Sequence, residues 1–194
     1  MGAIPEIANI DELVNRRLEE LLPQKLEEAL RSREESKTPS MAIIATRGTL
    51  DWAYPPFILA STAAALGYDV QIFFTFYGLQ LLKKKLSLEV TPLGNPGMPM
   101  PMGMDKWFPI LGMTLPGMQG MMTAMMKQKM KKKGVASIEE LRELCIEAEV
   151  KMVACQMTVD LFDMEQSQFI GGIEYAGAAA FFEFAGESDI CLYI

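Results

Sequence analysis

Histidine is absent from all 194 residues, and its absence removes whole classes of chemistry. No Ser-His-Asp triad can form, and no cysteine can be activated by a neighbouring imidazole. Zinc sites that need imidazole are excluded, and no Cys-x-x-Cys pair supplies an all-thiolate substitute. Neither a metal nor an organic cofactor is therefore expected. Acid–base work near neutral pH would fall to a shifted Glu, Lys or Cys. Cysteine is also scarce. Residues 145, 155 and 191 have no close pairing and make no disulfide framework. No Gly-x-Gly-x-x-Gly and no Walker-type Gly-Lys-Ser/Thr is present, so dinucleotide and P-loop readings lack support. Met1 to Pro5 offers neither a basic n-region nor an apolar h-region. A reducing cytoplasm is the expected setting, and no nucleic-acid partner is expected.

What is present is a core and an uneven charge. Half of the residues are hydrophobic, enough for one domain of ordinary size with appendages. Residues 82–133 hold nine lysines against Glu89 and Asp105, a local balance of +7 in a chain of net −7. That asymmetry suggests an anionic partner or membrane surface for the middle segment. A solvated, basic helix end would look the same.

Apolar residues recur at helical spacing over 6–36, among them Ile10, Leu13, Val14, Leu18 and Leu21. Pro23 is expected to kink or split this segment. Residues 1–37 thus read as a charged helical extension, and 38–194 as the domain proper. Met41 to Thr46 is a short apolar run suited to a buried parallel strand. A helix over 53–66 follows, with Pro55 and Pro56 in its first turn and Gly67 just past its end. Val70 to Phe76 is a second strand, and Tyr77-Gly78 opens a short helix to Lys85.

Residues 91–133 interrupt the pattern as an insertion. Eleven of the 16 methionines lie between 98 and 130. Trp107–Met126 carries no charge and is long enough to span a bilayer, but its prolines and glycines would make a poor spanning helix. An adaptable methionine-rich insertion, over the active site or between subunits, fits better. Ser137 and Glu140 form a capping box for a helix to about Ala148. Strand 150–155, short helix 157–162, a Gly171-Gly172 turn into another strand, helix 177–185 and strand 189–194 complete the chain. Strand and helix in alternation imply a mostly parallel sheet.

Cys155 ends the run Val150 to Cys155, where a buried strand should stop. In open α/β sheets, chemistry collects beyond the carboxyl ends of the strands. The N–H groups of residues 157 and 158, at the start of a following helix, would favour the thiolate. Asp160 would oppose it. Arg47, at the end of a neighbouring strand, is the candidate charge partner. The plain alternative is an inert buried cysteine. Cys145, inside an amphipathic helix, is either core or a second thiol able to resolve Cys155. Cys191, in the last apolar strand, is expected in the core.

Four stretches carry a family resemblance. They are 41–66, Phe73 to Leu79, the insertion ending Lys129 to Val135 before a capped helix, and Val153 to Leu161. Together they resemble the DsrE/DsrF-like sulfur-relay family, often labelled peroxiredoxin-like, in a subgroup with a methionine-rich insertion. The resemblance implies a three-layer α/β sandwich around a parallel sheet of about five strands, and assembly into homo-oligomers. It implies sulfane sulfur carried as a cysteine persulfide, with the family's motif cysteine at Cys155. The partners it implies are other sulfur-relay proteins that donate or accept at thiols, and some members of the subgroup are expected to touch membranes. A sulfurtransferase-like carrier is the preferred reading. The competing readings are a non-enzymatic assembly or membrane-surface module, and a small-ligand-binding α/β domain.

Overall fold

The computed structural model describes residues 5–91 and 117–194. The chain divides into two compact units, Met1–Thr38 and Pro39–Ile194. The first is a single helix, α1, Pro5–Ser36. Pro23 lies inside it and does not split it, contrary to the sequence expectation. The leucine-rich turns on either side, good helix formers, carry the helix through the one missing N–H. Its apolar side chains, among them Leu18, Leu22 and Leu26, are exposed.

The second unit contains β1 (Ser40–Ala45), α2 (Leu50–Ala65), β2 (Asp69–Phe74) and a 3-10 helix, Phe76–Leu82. After the insertion come α3 (Met118–Lys132), α4 (Ile138–Glu147), β3 (Lys151–Cys155) and α5 (Gln156–Leu161). Strand β4 (Glu174–Ala176), α6 (Ala178–Ala185) and β5 (Ile190–Tyr193) close the chain. The five strands form one sheet in the order β4-β3-β2-β1-β5, and every pairing is parallel.

Successive side chains on a strand point to opposite faces. Met41, Ile43, Ile72, Phe74 and Met152 therefore join the larger core, with Phe57 of α2 and Leu141 and Cys145 of α4. Ala42, Phe73, Val153 and Cys155 point the other way, onto Phe181 of α6. The result is a three-layer α/β sandwich. Burial on both faces explains why the strands read as apolar runs rather than alternating ones. Fully burying a ring such as Phe57, 5.9 Å from Phe74, contributes roughly 1.5–3 kcal/mol.

Several local expectations shift. Helix α2 begins at Leu50, so Pro55 and Pro56 fall beyond its first turn. Asp51 falls in the first turn, where a carboxylate suits the helix N-terminus, and it accepts from Thr91 N and Thr91 Oγ1, at 3.0 and 2.7 Å. The helix ends in a Schellman motif, with Gly67 N bonded to Ala64 O and Tyr68 N to Ala63 O. Gly67 has φ +86°, which glycine adopts without strain. The segment expected as a helix to Lys85 is the tighter 3-10 turn, starting at Phe76. The capping box holds: Ser137 Oγ accepts from Glu140 N, and Glu140 Oε2 accepts from Ser137 N.

Cys191 is exposed, not core. It lies on edge strand β5 and faces the α6 side. Helix α6 has only eight residues and packs over Phe73, leaving that end of the sheet open. The segment Trp107–Met126 lies outside the described residues as far as 116. From Met118 onward it is the start of α3, whose lysines 129, 131 and 132 occupy the last turn. There they complement the unpaired carbonyls of the helix end. Among the described residues no helix is long and apolar enough to cross a membrane.

The loops that follow β1 and β2 touch backbone to backbone. A Cβ added at Gly78 would lie 2.1 Å from Ala45 O, and one at Gly48 2.2 Å from Tyr77 O. Gly78→Ala should therefore cost about 1–3 kcal/mol, the usual toll of overpacking. The loss should appear as a lower denaturant midpoint. Stability within error of the parent would show that the contact yields easily.

Candidate functional site

Cys155 is the last residue of β3 and the N-cap of α5. It is only 4% exposed, held beside Phe73, Val153 and Phe181. It sits at the carboxyl edge of the sheet, one strand from where β2 runs into Thr75. Thr75 Oγ1 and Thr158 Oγ1 are 3.1 Å apart, and Phe76 N donates to Thr158 Oγ1 at 3.4 Å.

Burial raises the Cys155 pKa, because the anion loses water. Four polar groups beside the sulfur act against it by favouring the anion: the Thr158 hydroxyl and N–H, the Thr75 hydroxyl and the Met157 N–H. Together they prevail, so the pKa lies below that of an ordinary thiol. The N–H groups of 157 and 158 were legible in the sequence. The two hydroxyls were not, since threonines 83 positions apart carry no signal of meeting.

The other candidates lie elsewhere. The guanidinium of Arg47 stacks 3.8 Å from the centroid of the Trp52 ring. It follows β1, and β2 separates β1 from β3. Cys145 sits in the larger core, on the opposite face of the sheet from Cys155. Its thiol donates to Phe57 O at 3.5 Å. Burial pushes its pKa up to about 12, and a hydrogen bond with the Ser61 backbone offsets only part of that rise. Asp160 accepts a 2.7 Å hydrogen bond from Gln156 Nε2. Lys151, at the far end of β3, pairs with Glu174 at 3.4 Å.

Exposed apolar side chains surround the sulfur's edge: Phe76, Tyr77, Met157, Leu161 and Phe162. Tyr77 and Phe162 stack with centroids 6.0 Å apart. The arrangement offers a shielded, anion-stabilised sulfur on an apolar rim, suited to thiol exchange rather than hydrolysis.

Residues 37–193 match the DsrE/DsrF/DrsH-like family. The chain belongs to that family. Helix α1 precedes the matched region. Over 154 residues the chain is 88% identical to the sulfur carrier protein DsrE2 of Allochromatium vinosum, covering 79% of this chain and 97% of that protein. It is 35% identical over 164 residues to the uncharacterized protein YrkE of Bacillus subtilis, covering 81% and 98%. The crystal structure of the ychN protein from E. coli aligns with a TM-score of 0.46 at 11% identity, over 80% of this chain and 99% of that one.

Proposed function

We propose that this protein carries sulfane sulfur on Cys155 and passes it between partner thiols in a cytoplasmic relay. The observation that carries the reading is the thiol itself: nearly buried at the end of β3, yet lowered in pKa by the polar groups of Thr158, Thr75 and Met157 placed beside it. The 88% identity to a protein named as a sulfur carrier supports it.

In the loading step the Cys155 thiolate attacks the outer sulfur of a donor persulfide. The new bond joins Sγ to that sulfur as the donor's S–S bond breaks, and the donor leaves as a thiolate. In unloading, the acceptor's thiolate attacks the same outer sulfur and Cys155 departs as thiolate. No electrons are gained or lost overall, so no cofactor is needed. The polar groups that favour the free thiolate also make it a better leaving group in the second step. Cys145, with its raised pKa and its place on the other face, has no part in this scheme. The partners are donor and acceptor thiol proteins. The apolar face of α1 and the rim around Cys155 support assembly into a homo-oligomer. Mass spectrometry after incubation with polysulfide tests the reading, with Cys155→Ser as the deciding variant.

The lowered pKa has a direct consequence. Only the thiolate reacts, so alkylation of Cys155 should rise through a midpoint below the ordinary cysteine value of about 8.5. Thr158→Val removes the hydroxyl that favours the anion, so the midpoint should move up. Reactivity should then fall near neutral pH and recover in alkali. Thr75→Val should act in the same direction. Peptide-resolved iodoacetamide labelling across a pH series measures this, and a midpoint unmoved by either substitution would deny the hydroxyls their role.

A further inference from the structure

A cavity of about 380 Å³ lies just beyond the carboxyl end of β1, lined by Arg47, Thr49, Trp52, Tyr77, Gln80 and Thr91. Its place in the topology is significant. From β1 the chain crosses to β2 on one side, whereas β5 pairs with β1 on the other. Helix α2 packs on the larger-core face and α6 on the opposite one. The strand order therefore reverses at β1; open α/β sheets bind ligands beyond the carboxyl ends of their strands, and this cavity lies there, walled by the segments that follow β1 and β2.

The lining is largely apolar and carries one cation, Arg47, which suits a mostly organic ligand with a single anionic group. Arg47, with its Cζ 3.8 Å from the Trp52 centroid, supplies a cation at the cavity, and a guanidinium over an indole can still bind a carboxylate through its N–H groups. No carboxylate lines the cavity. The nearest acid in sequence, Asp51, is taken up by Thr91. Tyr77 forms one wall and also stacks on Phe162, which follows the helix capped by Cys155. The cavity and the sulfur thus share one surface. The strands that lead to them, β1 and β3, are two spacings apart across β2, roughly 10 Å, a length a tripeptide can span.

We propose that this cavity is a substrate subsite for the carboxylate of a small thiol peptide, holding it by Arg47 while its persulfide sulfur reaches Cys155. The inference rests on the sulfur-carrier reading and adds the class of donor. Cys155 takes the outer sulfur of the bound persulfide, and the peptide departs as a thiolate that picks up a proton from water.

The test compares two donors, glutathione persulfide and cysteamine persulfide, which lacks a carboxylate. Loading of Cys155 is followed by mass spectrometry over a range of donor concentrations. Arg47→Gln should lower the preference for glutathione persulfide over cysteamine persulfide about tenfold, read as the ratio of loading efficiencies. Arg47→Lys should recover only part, since an ammonium lacks the planar fork. In parallel, calorimetry measures binding of unreactive S-methylglutathione to Cys155→Ser, with and without Arg47→Gln. Binding should be lost with the arginine. An unchanged donor ratio together with unchanged S-methylglutathione binding would overturn the subsite and leave the carrier reading standing. If no donor loads Cys155 at all, the carrier reading falls, and the calorimetric arm alone decides the subsite.

Discussion

Cys155→Ser is expected to abolish sulfur uptake altogether. Serine's hydroxyl is not ionised near neutral pH, and oxygen forms no persulfide, so the variant has nothing with which to attack. The control needs care because Cys191 is exposed on edge strand β5. An accessible surface thiol can pick up sulfur from excess polysulfide without any carrier function. The comparison therefore belongs in a Cys191→Ser background, where Cys155 and the buried Cys145 remain. There the parent should gain the mass of one or more sulfur atoms, removable by dithiothreitol, and Cys155→Ser should gain none. Cys145 cannot substitute, since burial holds its thiol protonated up to a pKa of about 12. Equal gain with and without Cys155 would end the sulfur-carrier reading.

The sheet was legible because parallel strands buried on both faces leave nearly continuous apolar runs, such as Met41 to Ala45 and Val70 to Phe74, the latter broken only by Gln71. Periodicity also placed α4 and α6 to within a residue or two, and Ser137 with Glu140 marked the start of α4. What misled was chemistry that depends on distant partners. Proline sets only a local penalty, and tolerant surroundings absorbed it in α1 and α2 alike. Asp51, in the first turn of α2, is held by Thr91, forty residues away. Cys191 reads as core because its neighbours are apolar, but exposure of an edge strand is set by how far α6 reaches.

The site divides in the same way. A cysteine closing an apolar run, with a helix behind it, can be read from sequence alone. Its N–H partners at 157 and 158 follow from the helix start. Thr75 and Thr158 meet only because β2 and β3 are neighbours in register, Phe74 opposite Ala154. Arg47 was reachable as the cation nearest a strand end. Its ring partner Trp52 settles it over β1 instead of beside the sulfur, because a guanidinium on an indole face gains cation–π attraction without giving up its N–H edge.

Arg142 was the least legible residue, and its loss should be the most costly to the fold. On helix α4 it reads as one more surface charge between Glu139 and Glu143. Instead it is only 7% exposed, and Nη1 donates to Leu81 O at 3.0 Å and Lys83 O at 2.8 Å. These are carbonyls at the end of the 3-10 helix, where the chain itself supplies too few donors. Burial pulls the guanidinium's pKa down, and the two glutamates draw it partly back. Arg142→Ala leaves the buried Leu81 carbonyl without a partner, which costs about 1–3 kcal/mol. It also strips away the packing of the aliphatic stem. A total of roughly 2–4 kcal/mol is expected, read as a lower urea midpoint at unchanged slope. Arg142→Lys should keep one of the two bonds and lose less. The consequence reaches the sulfur, because the 3-10 helix begins at Phe76, whose N–H holds Thr158 Oγ1. Loosening its far end should relax the hydroxyls around Cys155 and move the alkylation midpoint up, as Thr158→Val does. A variant within about 0.5 kcal/mol of the parent, the usual range for surface substitutions, would show that water replaces the guanidinium without cost.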